Sequence, residues 1–417
     1  MIPDGENAPD VTIVTRADAS GLYLDLSSPW APADSFKVAR PDIVGKRNGL
    51  LADHIAMFRK KFGDWVPSNP VATARQLAEL AKAGRNYVSY VLDDPYDNLH
   101  KLHAFFSSAC PAWQTGQPRV PLVHAVSAFA DYFPWEFLPL FDPYADFQVA
   151  TPQELEAACR RFLGFGAVVE HHSLTEPVDP ILDATGSLVV RFVYEASYQG
   201  AQAELGFLRS RAKVDIEEPY PQSGKRDEAA PTLAQQLRDP TLRFNGKHRD
   251  RPDQIVHFAC HCETPRDHPP DDYTIQLAAP DGTKETIRLE DFIDGMMCAS
   301  AWDHPARRDR MPLVFLNACG TSVMEPASAA SWLKPFADNH NRGFIGTMAN
   351  VPDRVAARFS QTFYTELFSG RTAGEALHRA KWSLLHDYAN PLGILYSLYA
   401  DAGLRVLPVL EPVSAGP

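Results

Sequence analysis

The chain has 417 residues, 45% hydrophobic and 22% charged, the balance of a folded globular protein. That length fits one large domain with additions, or two to three ordinary domains. The net charge of -12 argues against a general nucleic-acid surface, and no apolar run approaches the roughly 20 residues that cross a bilayer.

The N-terminal MIPDGENAPD is polar and acidic, without the basic flank and apolar core of a signal peptide, so a soluble cytoplasmic protein is expected. Cys110, Cys159, Cys260, Cys262, Cys298 and Cys319 read as free thiols, not as a disulfide framework. The 35 prolines are scattered and point to rigid loops.

Val11–Thr15 and Leu22–Leu26 are rich in β-formers, and Asp18–Gly21 between them has turn composition, which predicts a hairpin. Residues 31–48 are punctuated by proline and read as irregular. Leu50–Phe62 reads as a helix with Leu51, Ile55, Phe58 and Phe62 on one stripe. Pro67 and Pro70 separate it from a second helix, Val71–Ala83, closed by Gly84, where a boundary is set. From 85 to about 180 the pattern is mixed. Val120–Val126 is a predicted strand that leads into the aromatic segment YFPWEFLPL (132–140). Gln153–Phe162 reads as a helix with Thr151 and Glu154 as its capping box, and Ala167–Glu170 as a short strand.

From residue 187 strands and helices alternate. Leu188–Tyr194 is a strand, Gln202–Arg211 a helix, Lys213–Ile216 a strand, Leu233–Leu242 a helix and Asp253–Ala259 a strand. Tyr273–Leu277 and Glu285–Leu289 flank Pro280-Asp281-Gly282 as a hairpin. Helix Asp291–Met297, strand Leu313–Asn317, helix Ala329–Asp338 and strand Gly343–Thr347 follow. Helices Arg354–Leu367 and Ala373–His386 break at Ser369-Gly370, and Ile394–Tyr399 is the last strand. The alternation means an α/β fold, a doubly wound and mostly parallel sheet flanked by helices.

Two apolar runs end in reactive residues. DQIVHFACHC (253–262) leads to His261, and PLVFLNACGT (312–321) leads to Cys319. Runs without polar alternation fit strands buried on both faces, and open α/β sheets hold their chemistry beyond the carboxyl ends of such strands. A His and a Cys so placed can stand side by side as base and nucleophile. The glycine after Cys319 permits a sharp turn that leaves an amide free for an oxyanion. Cys319 alone fits better as a small buried residue at a strand end, since free cysteines are usually packing residues, and the histidine strand is what favours catalysis. The histidine strand is expected to end near Ala259, with His261 at the mouth and His257 inside, buried and hydrogen-bonded. A zinc site from His257, Cys260, His261, Cys262 and His268 is a rival reading. It lacks the second paired knuckle of structural zinc sites, so no metal and no cofactor are expected. No G-x-G-x-x-G follows the first strand and no Walker-type GK[ST] is present, which argues against nucleotide chemistry.

VHFACHC followed by FLNACGT resembles the His and Cys motifs of the CHAT peptidases, caspase-like cysteine proteases that also resemble separase and gingipain. PWEFLPL (134–140), residues 343–382 and GILYSLYADAGLRV (393–406) resemble further segments of that family, so the resemblance covers about residues 85–410. The order also matches caspases, whose histidine lies about 50 residues upstream of the cysteine. The resemblance implies a caspase-like fold, His261 as general base or acid and Cys319 as nucleophile. It implies an oxyanion hole at Cys262, Cys319 and Gly320. The family usually has glycine after the catalytic histidine, where this chain has Cys262. A cysteine would be strained there if the position needed a positive φ. Residues 349–353 resemble a separase stretch whose acids line the pocket for the side chain before the cut. Asn350 and Asp353 stand at the two acidic positions and are the candidate substrate-binding residues. Asp353 also fits as a cap for the helix from Arg354.

These readings divide the chain into an N-terminal extension (1–84) for regulation or partner contacts, an N-terminal half (85–186) and a catalytic half (187–417). The expected function is a regulated cysteine endopeptidase that cleaves a partner protein, with an activator protein or complex as a further partner. By resemblance its setting is bacterial defence or cell death. The 219–231 loop has room for a self-cleavage site, although most loops of this composition are simply solvated. No nucleic-acid or membrane partner is expected. The alternative is a catalytically silent caspase-fold scaffold that binds a partner protein or ligand.

Overall fold

The apolar runs of the chain lie side by side in one sheet in the computed structural model, with helices packed on its faces. The structure describes residues 8–38, 41–62, 70–92, 95–110, 120–127, 133–140, 151–173, 179–216, 219–223, 231–263, 273–296, 311–319 and 335–410. In chain order the first elements are β1 (Val11–Asp18), β2 (Gly21–Ser27), β3 (Asp34–Val38), α1 (Pro41–Phe62), α2 (Pro70–Val91) and α3 (Pro95–Ala109). Next come β4 (Leu122–Ser127), α4 (Pro152–Cys159), α5 (Leu163–Gly166), β5 (Val168–Ser173), β6 (Ile181–Asp183) and β7 (Leu188–Tyr194). Then follow α6 (Gln199–Arg209), β8 (Val214–Ile216), α7 (Leu233–Arg238), β9 (Ile255–Glu263), β10 (Thr274–Ala278), β11 (Lys284–Arg288) and α8 (Leu289–Met296). The chain closes with β12 (Leu313–Cys319), β13 (Gly343–Thr347), α9 (Asp353–Phe368), α10 (Ala373–Tyr388), β14 (Tyr396–Ala400) and β15 (Arg405–Leu407).

The main sheet runs β11-β10-β9-β12-β13-β14-β5-β4-β1-β2-β3, and β7 pairs with β9 and with β8. Pairing is parallel at β7–β9, β9–β12, β12–β13, β14–β5, β5–β4 and β4–β1. It is antiparallel at the hairpins and at β13–β14. This is the mostly parallel, helix-flanked sheet that the alternation of elements predicts. On one face Leu205 and Leu208 of α6 and Val355, Phe359 and Phe363 of α9 join the core. On the other, Leu233 and Leu237 of α7 pack with Phe292 of α8. Each fully buried Leu or Phe contributes about 1.5–3 kcal/mol.

β7 is buried along its whole length and includes Arg191. A charge in that place needs partners. Arg191 Nε donates to Asp253 Oδ2 at 2.5 Å and Nη2 donates to the Leu242 carbonyl at 2.7 Å.

Several segments differ from the sequence expectation. Residues 34–38, read as irregular, form β3, and α1 starts at Pro41 instead of Leu50. Pro suits the first turn of a helix, where its missing N–H leaves no bond unmade. α2 does not close at Gly84 but continues to Val91. The glycine serves a close approach: a Cβ there would stand 2.2 Å from the carbonyl oxygen of Phe137, in the 3-10 turn Trp135–Phe137. Part of the expected 329–338 helix lies outside the described residues. Gly84→Ala gains about 1 kcal/mol of helix propensity but drives a methyl into that carbonyl. We expect a net loss of about 1–3 kcal/mol, read as a lower urea midpoint, and a raised midpoint would show that the approach is not tight.

Candidate active site

β9 and β12 pair in parallel from Leu313 opposite Ile255 to Cys319 opposite His261. The register is dictated by apolar residues: Ile255, Val256, Phe258 and Leu313–Leu316 are all fully buried. It sets the backbones of Cys319 and His261 side by side at the carboxyl ends of two parallel strands, about 4.8 Å apart in an ordinary sheet. Val256, Phe258, Cys260 and Cys262 belong to the core of one face, so by alternation His257, Ala259 and His261 take the other. Cys319 is the last residue of β12, two residues after Asn317.

The histidine strand does not end near Ala259. It reaches Glu263 because β10 adds an antiparallel ladder, with Gln276 opposite His261 and Ile275 opposite Cys262. His261 is half-buried, and His257 is fully buried beneath it.

His257 lies between the rings of Phe192 and Phe315, 5.0 and 5.2 Å away. Its Nδ1 is 2.8 Å from Tyr364 Oη, and its Nε2 is 2.8 Å from Oε2 of the buried Glu204. Burial, then the Glu204 charge, pushes the Tyr364 phenol well above its ordinary value, so it keeps its proton beside Nδ1. Glu204 Oε2 is an acceptor for its other partners, and Nε2–H donates to it as well. The same Oε2 accepts from Asn317 Nδ2 at 2.8 Å and from Ser360 Oγ at 2.6 Å. Asn317 also donates to the Ala356 carbonyl at 3.0 Å and accepts from Tyr396 Oη at 2.7 Å. The sequence places His257 inside and hydrogen-bonded, as found, but does not name its partners. The signals for this cluster were Glu204 on the α6 stripe of Ala201, Leu205 and Leu208, and Asn317 inside an apolar strand.

Residues 179–395 match the family model described as CHAT domain. The chain belongs to the CHAT-domain family. It is similar to a probable protease of Vitiosangium sp., 28% identical over 171 residues, which cover 40% of this chain and 20% of that protein. Two structures of the Saccharomyces cerevisiae separase–securin complex align at 10% identity, with TM-scores of 0.41 and 0.38. Each alignment covers 95% of this chain and 30% of the other. The chain thus spans about a fifth of that curated relative's length.

The CHAT domain takes in β7, β9 and β12 with α6 and α9, and hence the Glu204 cluster. Within it, Cys262 is buried in an extended strand, packed with Tyr273 and Ile275. The positive-φ residues other than glycine among those described are Lys213, His340 and Ala389, so the strain anticipated at Cys262 is absent. The grouping read as a zinc site divides across the sheet, with Cys260 and Cys262 on one face and His257 and His261 on the other. His268, Gly320 and residues 224–230 lie outside the described residues. Burial, then the neighbouring Cys262, pushes the Cys260 thiol well up, and burial pushes Cys110 up to about 12.

Asn350 is half-buried in the segment after β13, at the sheet end where β12 closes. Asp353 does not cap its own helix, whose N-cap is Pro352. Its Oδ2 accepts from the Gly200 amide at 2.7 Å and so caps the first turn of α6. A Cβ at Gly200 would lie 2.2 Å from Asp353 Oδ1, which explains the glycine. Burial raises the Asp353 carboxyl above its ordinary value, with the Gly200 bond opposing and Glu204 adding to the shift. The folded state therefore holds this proton more tightly than the unfolded chain. Asp353→Ala should cost about 1 kcal/mol through the lost cap, while Asp353→Asn keeps an acceptor. Relative to Asp353→Asn, wild type should gain stability as pH falls from the folded titration towards the unfolded one. Urea unfolding across that range checks it, and a relative loss would contradict the direction.

Proposed function

We propose that this chain is a caspase-like cysteine endopeptidase in which Cys319 is the nucleophile and His261 the base and acid. The observation that carries the reading is the β9–β12 register, which sets those two residues opposite each other at the carboxyl ends of parallel strands. The likeness to a probable protease supports it.

A free thiol titrates near ~8.5 and is only slightly ionised at neutral pH. His261 takes the Cys319 proton, and the thiolate forms a C–S bond to the scissile carbonyl. The carbonyl oxygen takes the negative charge, and the amides of Cys262, Cys319 and Gly320 donate to it. Collapse breaks the C–N bond, and the departing amine takes the proton from His261. A water, deprotonated by His261, then releases the acyl group and restores the thiol.

The substrate is a protein. Asn350 and Asp353 border the pocket for the side chain before the cut. With one Asp353 oxygen held by Gly200 and an amide at Asn350, selection for Arg or Lys is weak. Residues 1–84 carry regulation or partner contacts, residues 85–186 form the N-terminal half and residues 187–417 the catalytic half. The protein acts in the cytoplasm in bacterial defence or cell death, under the control of an activator. Among the described residues no helix is long and apolar enough to cross a membrane.

The test is co-expression of wild type, Cys319→Ala and His261→Ala with the proteins encoded beside it, followed by mass spectrometry. Fragments made by wild type and lost in both variants are expected. No fragments, with a neighbour co-purifying equally with all three, would favour a silent scaffold.

A further inference from the structure

We propose that Glu204 is the positioning residue of the Cys319–His261 pair, tying the histidine strand and the cysteine strand to one helix. This rests on the dyad reading above. One oxygen of Glu204 accepts from three elements: His257 on β9, Asn317 on β12 and Ser360 on α9. Asn317 stands two residues before Cys319, and His257 four residues before His261. Both reactive residues thus lie a short, stiff length of strand beyond an anchored side chain.

The geometry makes the anchor specific to register. A slip of one residue between β9 and β12 would send Asn317 to the opposite face, away from Glu204. The amide would then be buried without its acceptor, at about 1–3 kcal/mol. The second Asn317 hydrogen on the Ala356 carbonyl and the Tyr396 hydroxyl on Oδ1 fix the amide's orientation. α6 is itself held at its first turn by Asp353 of α9, so hub, helix and both strands form one braced unit. An apolar residue at 204 would supply no acceptor for these donors. A leucine there would orphan the donors of Asn317 and His257.

The readout is the alkylation rate of Cys319 by iodoacetamide against pH, followed by peptide mass spectrometry. Wild type, His261→Ala, Glu204→Gln and Gly84→Ala are compared, each with its melting curve. Glu204→Gln replaces the charged acceptor shared by the three donors with a neutral carbonyl oxygen, which weakens all three bonds. Misplacement by about 1 Å costs up to 10²-fold in reactions that depend on alignment, so we expect about a tenfold slower rate at neutral pH. The midpoint should move up towards the ordinary thiol value, as in His261→Ala. Gly84→Ala, destabilised at a distance, should keep the wild-type rate and midpoint. Should Glu204→Gln fail to fold, Asn317→Ala cuts the β12 link alone and should show the same shift. A folded Glu204→Gln or Asn317→Ala with the wild-type profile would overturn the proposal. A His261→Ala profile identical to wild type would instead overturn the dyad reading beneath it.

Discussion

The parallel pairing of β9 with β12 governs the rest of the molecule. Its residues from Ile255 to Phe258 and Leu313 to Leu316 are buried on both faces, so it needs helices above and below. α6 and α9 supply one cover, and α7 and α8 the other. The period of two makes the register all or none, since a shift by one exchanges every side chain between two different cores. Cys319 opposite His261 is therefore a consequence of apolar packing further back along the same strands. The strands provide rigidity, and the proposed dyad stands near the ends of both.

Buried polar groups then fasten this sheet to its surroundings at particular points. Arg191 joins β7 to Asp253 and the Leu242 carbonyl. Glu136, in the aromatic segment 132–140, takes His171 of β5 at 2.9 Å and Ser397 of β14 at 2.6 Å. That pairing gives the PWEFLPL segment a physical role in clamping two adjacent strands. Glu204 does the same for β9 and β12. Such groups cost several kcal/mol to bury, and breaking one partnership leaves the other partner unsatisfied. Their net worth to stability is small, and what they add is a single arrangement.

The sequence disclosed what depends on local pattern. The runs 188–194, 253–259, 313–317 and 343–347 announced the central strands, because double-sided burial leaves no polar alternation. Thr151 and Glu154 announced their capping box, which both bonds complete. What stayed hidden depends on distant partners. β9 outruns its apolar stretch because β10 pairs with it. Gly84 is a helix breaker by composition and a contact residue by position. Asp353 looked like a cap for the helix it begins, yet its acceptor serves Gly200, at the start of another. That His261 and Cys319 end neighbouring apolar runs was legible from sequence, whereas the Glu204 hydrogen bonds require three elements to be in place.

The most direct test of the central claim is the ultraviolet absorbance of the Cys319 thiolate against pH, taken as wild type minus Cys319→Ser. The account predicts a thiolate signal that persists below the ordinary thiol range of about 8.5 and is lost in His261→Ala. An ordinary thiol titration, the same with and without His261, would contradict it.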